Sequence, residues 1–436
     1  MGTTDEYTFR TFPAAVAADG SAEPDTAVWL DAERRGFHDN RLDSAGTSAA
    51  AARLVADGRQ LTGAYLAGHP ADLTEAAATP SPVATFASYT ATLNVGAADL
   101  LPTHLISNVT VRPTHRRRGL LRAMMTENLR RASDAGFPLA ALTVSEATIY
   151  RRFGFGVAST VSHVTVSTDE RFRMLVPPAG RSEYIDLPEL ARLAPAVFAR
   201  FHAANPGSVD RHAATWPRNS GELTDSGQPD LSVYAAAHYD DSGNPDGYVS
   251  YRSRENGSPR TLEVLDLVAT TDSAYLGLWD FLASIDLSGR VDWETAPAND
   301  PLRWALADWR SVTQTFVEDW LWLRVLDVPA AFEARGYLPS ASGEVVLRVT
   351  DALGYAAGTF RLRVADARAE VTRVAGPDPD PDLTLDAPEL GSLYLGGVDP
   401  LTLLAAGRLT EHTPGAARRL GTLLAPVAPV YGITHF

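Results

Sequence analysis

Three consecutive arginines precede a glycine at the start of an amphipathic segment, in the stretch VTVRPTHRRRGLLRAM. The apolar residues before them predict a strand, and the glycine marks where a helix begins. The first amides of a helix have no partner within the helix and lie at the positive end of its dipole. Arg116 to Arg118 add charge-assisted hydrogen bonds, and Gly119 has no Cβ that would obstruct a close approach. The pattern predicts a site for an anion such as a pyrophosphate.

An arginine run before a helix is also typical of an ordinary solvated turn, and the arginines alone leave that alternative open. The surrounding elements favour the anion site. A strand is predicted at Leu105 to Val111, a helix at His115 to Ala135, and an apolar strand at Leu139 to Val144. Strand, helix and buried strand form a βαβ unit, in which the right-handed crossover makes the two strands parallel. The second strand can then diverge from the first beside the loop.

The remaining elements predict three domains, because 436 residues exceed what one hydrophobic core ordinarily serves. We expect an α/β domain over residues 1–160, a weaker copy of its pattern over residues 161–328, and an α+β domain over residues 329–436. Helices are expected in the last domain at Leu390 to Leu409 and at Gly415 to Leu424. In the second copy the loop after Val268 reads ATTDS, without arginine or glycine. Only the first copy is therefore expected to bind a pyrophosphate.

Composition excludes several classes of function. The chain has neither cysteine nor lysine, so disulfides and thiolate nucleophiles are excluded, and its ten histidines form no recognised ligand pattern, so no metal is expected. A net charge of −15 disfavours nucleic-acid binding and favours a small cationic substrate. The sequence contains no apolar stretch of membrane-spanning length and no secretory signal, so we expect a cytoplasmic protein without a membrane partner.

Four segments together resemble the Eis (enhanced intracellular survival) family of N-acetyltransferases in the GNAT superfamily: HRRRGLLRAM, SEATIYRRFGFG, LWLRVLDVPAAFEARGY and LGSLYLGG. The resemblance covers the chain from about Leu105 to its last residue. It implies an α/β and α+β fold with tandem GNAT-like domains, the second of them degenerate, followed by a domain similar to sterol carrier proteins. The loop departs from the generic GNAT pattern Arg-x-x-Gly-x-Gly/Ala, since Leu121 occupies the second small position.

By this resemblance, acetyl-CoA is the cosubstrate, and its site is lined by residues of the predicted βαβ unit. These residues are Val109, Val111, Arg117, Arg118, Gly119, Leu120, Leu121, Arg122, Ser145 and Glu146. The residues themselves independently support only the arginines and Gly119.

The resemblance also assigns the acid and the base. Tyr150 is the general acid, because a phenol of pKa about 10 remains protonated at neutral pH and can donate to a departing thiolate. Without the resemblance, core packing would be the better explanation for a tyrosine beside Ile149 and Phe153. The carboxylate of Phe436, the last residue, is the general base, although a pKa of roughly 3.5 makes a weak base unless burial raises it or a water relays the proton. Tails usually fray, but the apolar segment VYGITHF favours docking.

The acceptors implied by the resemblance are amines of polycations such as aminoglycosides, acetylated at several positions and giving antibiotic resistance, or lysine side chains. Asp39 and His435 are candidate contacts to the acceptor, although a loop aspartate such as Asp39 is often only solvated. The family's assembly implies a homohexamer. The alternative function is a non-catalytic CoA- or lipid-binding protein, in which the sterol-carrier-like domain holds an apolar ligand.

Overall fold

A computed structural model describes residues 6–67, 81–222, 229–254, 259–374 and 380–436. These residues form three sheets with helices packed against them. Within the described ranges, no helix has both the length and the apolar character that crossing a bilayer would require.

The first part of the chain forms mixed strands and helices whose ends follow local signals. Helix α1 (Pro24–Phe37) has a proline at its first position, and Asp43 caps the helix that follows by accepting from the amide of Gly46. The elements are β1 (Tyr7–Pro13), α1 (Pro24–Phe37), α2 (Ser44–Ala56), β2 (Gln60–Leu66), β3 (Ala84–Leu93), β4 (Leu101–Val111), α3 (Leu120–Asp134), β5 (Leu139–Leu142), α4 (Ala147–Tyr150) and β6 (Gly156–Val157).

The middle part repeats the arrangement of strand, helix and parallel strand. Its elements are β7 (Thr160–Ser167), β8 (Arg181–Ile185), α5 (Leu187–Ala204), α6 (Thr215–Asn219), β9 (Val233–Tyr239), β10 (Pro245–Arg254), β11 (Arg260–Ala269), α7 (Asp272–Ala283), β12 (Ser288–Pro297), α8 (Leu302–Ala305) and β13 (Val312–Asp319). The second sheet has the order β13-β7-β12-β11-β10-β9-β8, and β11 runs parallel to β12 with α7 between them in sequence.

The last part contributes one strand to the first sheet and then forms a third sheet. Its elements are β14 (Trp322–Val325), α9 (Val328–Ala334), β15 (Gly343–Thr350), β16 (Gly358–Ala365), β17 (Arg368–Arg373), β18 (Leu383–Asp386), α10 (Ala387–Leu393), α11 (Pro400–Ala405), β19 (Leu409–Glu411) and α12 (Ala416–Leu423). The third sheet has the order β17-β16-β15-β18-β19.

The first sheet has the order β1-β2-β3-β4-β5-β14-β6, and β4 and β5 are its parallel pair. Helix α3 connects them, so the predicted βαβ unit is present. The helix begins at Leu120, later than the predicted His115, because Pro113–His115 forms a short 3-10 turn and Gly119 has a φ of 83°. A residue in that left-handed region interrupts regular helix geometry.

Strand β14 lies between β5 and β6, although it follows the second sheet in the sequence. A domain boundary at residue 328 therefore assigns β14, a strand of the first sheet, to the middle domain over residues 161–328. The strand is buried because it completes this sheet, and its Arg324 pairs with Asp351 just after β15 at 2.6 Å. Both side chains are almost fully buried, so this ion pair connects the first sheet to the last part of the chain.

Candidate active site

A gap opens where the two parallel strands of the first sheet separate. Strands β4 and β5 pair only from His104 to Ile106 against Ala140 to Leu142. Beyond this point β4 continues beside β3 with an irregularity at Asn108, whose φ is 52°, while the chain after β5 turns away. Two adjoining cavities lie in this gap, and both are lined by Val109, Ser145 and Tyr150.

The larger cavity, of about 680 Å³, is bordered by the arginine loop and the first turn of α3. We call it the loop cavity. All ten residues that the sequence analysis expected around the cosubstrate line this cavity, and so do Arg116 and Arg152. These residues come from β4, from the loop, from the start of α3 and from the turn after β5, and the fold brings them to one place.

The first turn of α3 is open to an anion. Its N-cap is Gly119, no side chain caps it, and the turn contains no acidic residue. In the second copy, Thr271 caps α7 by accepting from the amide of Ala274 at 3.0 Å, and Asp272 lies in the first turn. Because a capping hydroxyl and a carboxylate already meet the positive end of α7, the helix start in the first copy is the better site for a phosphate.

The charge around the arginine loop is positive. The pKa of His115 is lowered, first by partial burial and then by repulsion from Arg112 and Arg118. Arg118 also forms an exposed ion pair with Glu6 at 3.1 Å. An exposed pair of this kind contributes little energy, so Arg118 can exchange Glu6 for a phosphate at small cost.

Tyr150 lies at the junction of the two cavities. It ends α4, is 8% exposed, and packs edge-on against Phe155. Burial, with a smaller effect of the Glu146 charge, raises its pKa to about 12. Among the described residues, none is hydrogen-bonded to its hydroxyl group, which is therefore available to a ligand that spans both cavities.

The smaller cavity, of about 440 Å³, is bordered by α1, α2, the end of β5 and the C-terminal tail. We call it the tail cavity. Asp39, His435 and Phe436 all line it. Asp39 follows the end of α1 and is exposed there. The ring of His435 lies edge-on to Trp320 with ring centroids 5.4 Å apart, and desolvation is the main cause that lowers the pKa of this histidine.

The tail is docked through its backbone. The amide of Phe436 donates to Oγ1 of Thr143 at 3.1 Å, and the Thr143 hydroxyl donates to the carbonyl-position oxygen O of Phe436 at 2.6 Å. Nearby, the Thr434 hydroxyl donates to Val209 O at 2.7 Å. Thr143 was not predicted from the sequence, because a single threonine at a strand end carries no distinguishing pattern.

A buried polar network, which was not predicted from the sequence either, forms one wall of the tail cavity. Arg59 pairs with Asp57 at 3.0 Å and donates to Oδ1 of Asn108 at 2.7 Å. Asn108 in turn donates to Oε1 of Glu33 at 2.8 Å, and the other oxygen of Asp57 accepts from the amide of Ala213 at 2.7 Å. Burial is the main reason that the pKa of Glu33 is raised. Both carboxylates are thus held by groups of the protein.

This combination of fold and site defines a GNAT-type N-acetyltransferase: parallel strands that diverge beside an open, arginine-flanked helix N-terminus, with a second copy of the unit that lacks the arginines. Models of an acetyltransferase (GNAT) domain match residues 72–158 and 207–325, and a model of a sterol carrier protein domain matches residues 328–432.

The chain belongs to the Eis family of N-acetyltransferases. N-acetyltransferase Eis of Mycobacterium tuberculosis is 36% identical over 363 residues, which cover 79% of this chain and 83% of that protein. An uncharacterized N-acetyltransferase of Streptomyces avermitilis is 36% identical over 418 residues, covering 92% and 94%. The crystal structure of Eis1 from Mycobacterium abscessus matches with a TM-score of 0.79 at 28% identity, covering 98% of this chain and 100% of that one.

These relatives confirm the family, the fold class and the enzyme class expected from the sequence. The GNAT fold also implies the use of acetyl-CoA. A purely non-catalytic binding protein, the alternative in the sequence analysis, is not favoured by relatives that are named N-acetyltransferases.

Proposed function

We propose that this chain transfers the acetyl group of acetyl-CoA to a primary amine, with the cosubstrate in the loop cavity and the acceptor in the tail cavity. The observation that carries the proposal is the position of Tyr150, a residue with an available hydroxyl that lines both cavities. A ligand in each cavity would bring a thioester and an amine together beside this hydroxyl.

The residues around the loop cavity fit a CoA thioester. The open first turn of α3 suits the pyrophosphate, and Arg117, Arg118 and Arg122 surround that turn. Val109 and Val111 provide an apolar wall on β4 for the pantetheine arm. When bound, acetyl-CoA supplies an acyl group that is already activated as a thioester.

Amide formation creates a bond between the amine nitrogen and the carbonyl carbon and breaks the bond between that carbon and sulfur. We assign the amine proton to the carboxylate of Phe436, directly or through a water molecule, because this residue lies in the tail cavity and is fixed by Thr143. Tyr150 faces the departing sulfur. The base thus lies on the acceptor side and the acid at the junction, as a direct displacement requires.

The raised pKa of Tyr150 refines its role. At about 12, the phenol stays protonated throughout the physiological range. A thiol of pKa about 8.5 is a stronger acid than this phenol, so complete proton transfer to the sulfur is uphill. Donation of a hydrogen bond that stabilises the developing thiolate is therefore the favoured action, followed by protonation from solvent.

For the acceptor, aminoglycosides and lysine side chains are the classes to assay first. Asp39 supports them, because it is an exposed carboxylate on the wall of the tail cavity, and we assign Asp39 and His435 to acceptor contact. Assembly as a homohexamer is part of the same proposal and rests on the resemblance alone. Light scattering would test it.

The decisive assay is release of free CoA thiol from acetyl-CoA with kanamycin, a lysine-containing peptide and simple alkyl amines. Tyr150→Phe and a variant extended by one glycine beyond Phe436 should both lose most of kcat while binding CoA normally. Tyr184→Phe is the matched control, since that tyrosine is exposed on β8 of the second sheet. If no amine in the panel is acetylated above background, the proposed function is wrong.

A further inference from the structure

The short helix that ends at Tyr150 has little internal support. Helix α4 has four residues, no side chain caps it, and the amide of Ile149 donates to Glu146 O at 3.3 Å, which is long for a hydrogen bond. A helix this short does not stabilise itself, so its orientation depends on contacts with the rest of the protein. The edge-on packing of Tyr150 against Phe155 is one such contact. A second contact comes from the next residue along the chain.

Arg151, which directly follows Tyr150, forms an ion pair with Glu389 of helix α10. The Nη2 atom of Arg151 donates to Oε1 of Glu389, and the Nε atom of Arg408 donates to the same oxygen at 3.0 Å. Both arginine side chains are 44% exposed, whereas the side chain of Glu389 is 2% exposed. Two half-exposed guanidinium groups therefore share one buried carboxylate, and one of them belongs to the turn that carries Tyr150.

Helix α10 is a firm support for this ion pair, because it lies almost against the backbone of the first sheet. A Cβ on Gly156 of β6 would clash with Pro388 O, and a Cβ on Gly391 would clash with Leu323 O of β14. Both glycines thus permit an approach that any side chain would prevent. Close packing of α10 on β6 and β14 therefore fixes the position of Glu389 relative to the first sheet.

A buried carboxylate is unfavourable at this position unless it has a task. Burial is the main cause that raises the pKa of Glu389, and Arg151 opposes that rise. A carboxylate in the first turn of a helix interacts favourably with the helix dipole, but an exposed position would give the same advantage without desolvation. An apolar side chain of similar size would also pack well in a buried position. Neither the dipole nor packing therefore explains Glu389.

We propose that Glu389 is a positioning residue for Tyr150. By binding Arg151 it fixes the direction of the turn that ends at Tyr150, and so places the phenol hydroxyl beside the thioester sulfur. The inference rests on the proposed function, in which this hydroxyl stabilises the developing thiolate. The part of the chain that matches a sterol carrier protein domain, residues 328–432, then positions the acid and also leads into the tail that carries the base, Phe436.

The first test is the kcat of Arg151→Gln with an amine that the wild type acetylates. Displacement of a reacting group by 1 Å can lower a rate about 100-fold, and loss of one half-exposed ion pair allows only part of that displacement. We expect kcat to fall about tenfold. The affinity for CoA should stay within about threefold, because Arg117 and Arg118 are unchanged. Glu389→Gln should give a similar loss of kcat, and Arg151→Lys, which keeps the charge, should restore most of it.

Arg408→Gln is the matched control. It removes the other ion pair to the same oxygen, from a side chain of equal exposure, but Arg408 directly precedes β19 and is not part of the turn that carries Tyr150. Arg151→Gln and Arg408→Gln should therefore lower the midpoint of thermal unfolding to a similar extent. The kcat of Arg408→Gln should nevertheless stay within about twofold of the wild type.

A second comparison separates positioning from a general structural role. In the Tyr150→Phe background, Arg151→Gln should change the residual kcat by less than about twofold, because the hydroxyl that Arg151 positions is absent. A merely structural loss would lower kcat by the same factor in both backgrounds.

The outcomes separate this inference from the proposed function. A wild-type kcat for Arg151→Gln, an equal loss for Arg408→Gln, or an equal loss with and without the Tyr150 hydroxyl overturns the inference while acetyl transfer stands. Absence of turnover by the wild type with every amine in the panel overturns the proposed function and this inference with it. A tenfold loss that is confined to Arg151→Gln and Glu389→Gln, and that requires the Tyr150 hydroxyl, supports the inference.

Discussion

Removal of the Thr143 hydroxyl should uncouple the tail from the active site. In Thr143→Val the shape of the side chain is kept, but both hydrogen bonds to Phe436 are lost, the one to its oxygen at 2.6 Å and the one from its amide at 3.1 Å. The tail keeps its other contacts, including the bond from Thr434 to Val209 O and that between Nε2 of His212 and His435 O at 3.0 Å. Phe436 should therefore be less precisely positioned in the tail cavity, although the tail as a whole remains bound.

The size of the effect follows from these two bonds. A neutral hydrogen bond contributes about 1 kcal/mol and one to a charged group about 1.5 to 3 kcal/mol, so the pair is worth roughly 2.5 to 4 kcal/mol at most. Because the remaining tail contacts limit the displacement of Phe436, we expect only part of this energy to raise the activation barrier of acetyl transfer. A fall in kcat of about 10- to 100-fold, equal to about 1.4 to 2.7 kcal/mol, is the expected result.

The assay is thiol release at saturating acceptor, together with the affinity for CoA measured by calorimetry. CoA affinity should stay within about twofold, because Thr143 does not line the loop cavity. Thr143→Ser keeps the hydroxyl and should retain most of kcat. If Thr143→Val turns over at the wild-type rate, the tail is not positioned by Thr143, or Phe436 takes no part in catalysis.

Three further predictions concern the cosubstrate, pH and stability. Arg117→Ala combined with Arg118→Ala should weaken CoA binding by roughly 10- to 100-fold, and added salt should reduce the difference in CoA affinity between this variant and the wild type. An unchanged CoA affinity in calorimetry would contradict the phosphate site. Burial lowers the pKa of His212 to about 4, so the unfolded chain takes up a proton between about pH 6.5 and 4 that the folded chain does not. The free energy of unfolding in urea should decrease as the pH is lowered through that window, and the decrease should be smaller in His212→Asn. An equal dependence on pH in both proteins would contradict the lowered pKa of His212. Asp351→Ala leaves Arg324 buried without its partner and should cost about 3 to 5 kcal/mol in urea unfolding, whereas a cost below 1 kcal/mol would show that the pair is not buried as described.

Local signals were enough to predict the cosubstrate side of the site. Pro24 begins α1, because proline favours the first turn of a helix. The arginine loop and the βαβ unit follow from apolar periodicity and from Gly119, whose left-handed backbone begins α3. Residues that are close in sequence also lie close in space here, so the pattern of one segment predicts most of the residues that line the loop cavity.

Features that depend on distant contacts could not be predicted in this way. Strand β14 joins the first sheet from far along the chain, and its residues carry no signal for that partner. The helix expected over Leu390 to Leu409 is divided into α10 and α11 by the turn at Gly396, and β19 begins at Leu409. The Arg59 network likewise depends on side chains that meet only after folding.

The tail explains why a copy of the GNAT unit without arginines is useful to this chain. The amide of Tyr431 donates to Pro206 O at 2.7 Å, and a Cβ on Gly432 would lie 2.4 Å from Gly207 O, so the tail runs tightly against the loop that follows α5. The next residues bind Val209 and His212 before Phe436 reaches Thr143, which directly follows β5 of the first sheet. The second copy therefore supplies the surface that guides the end of the chain into the tail cavity. Because this task needs a rigid edge and no phosphate site, arginines in its ATTDS loop would add nothing to it.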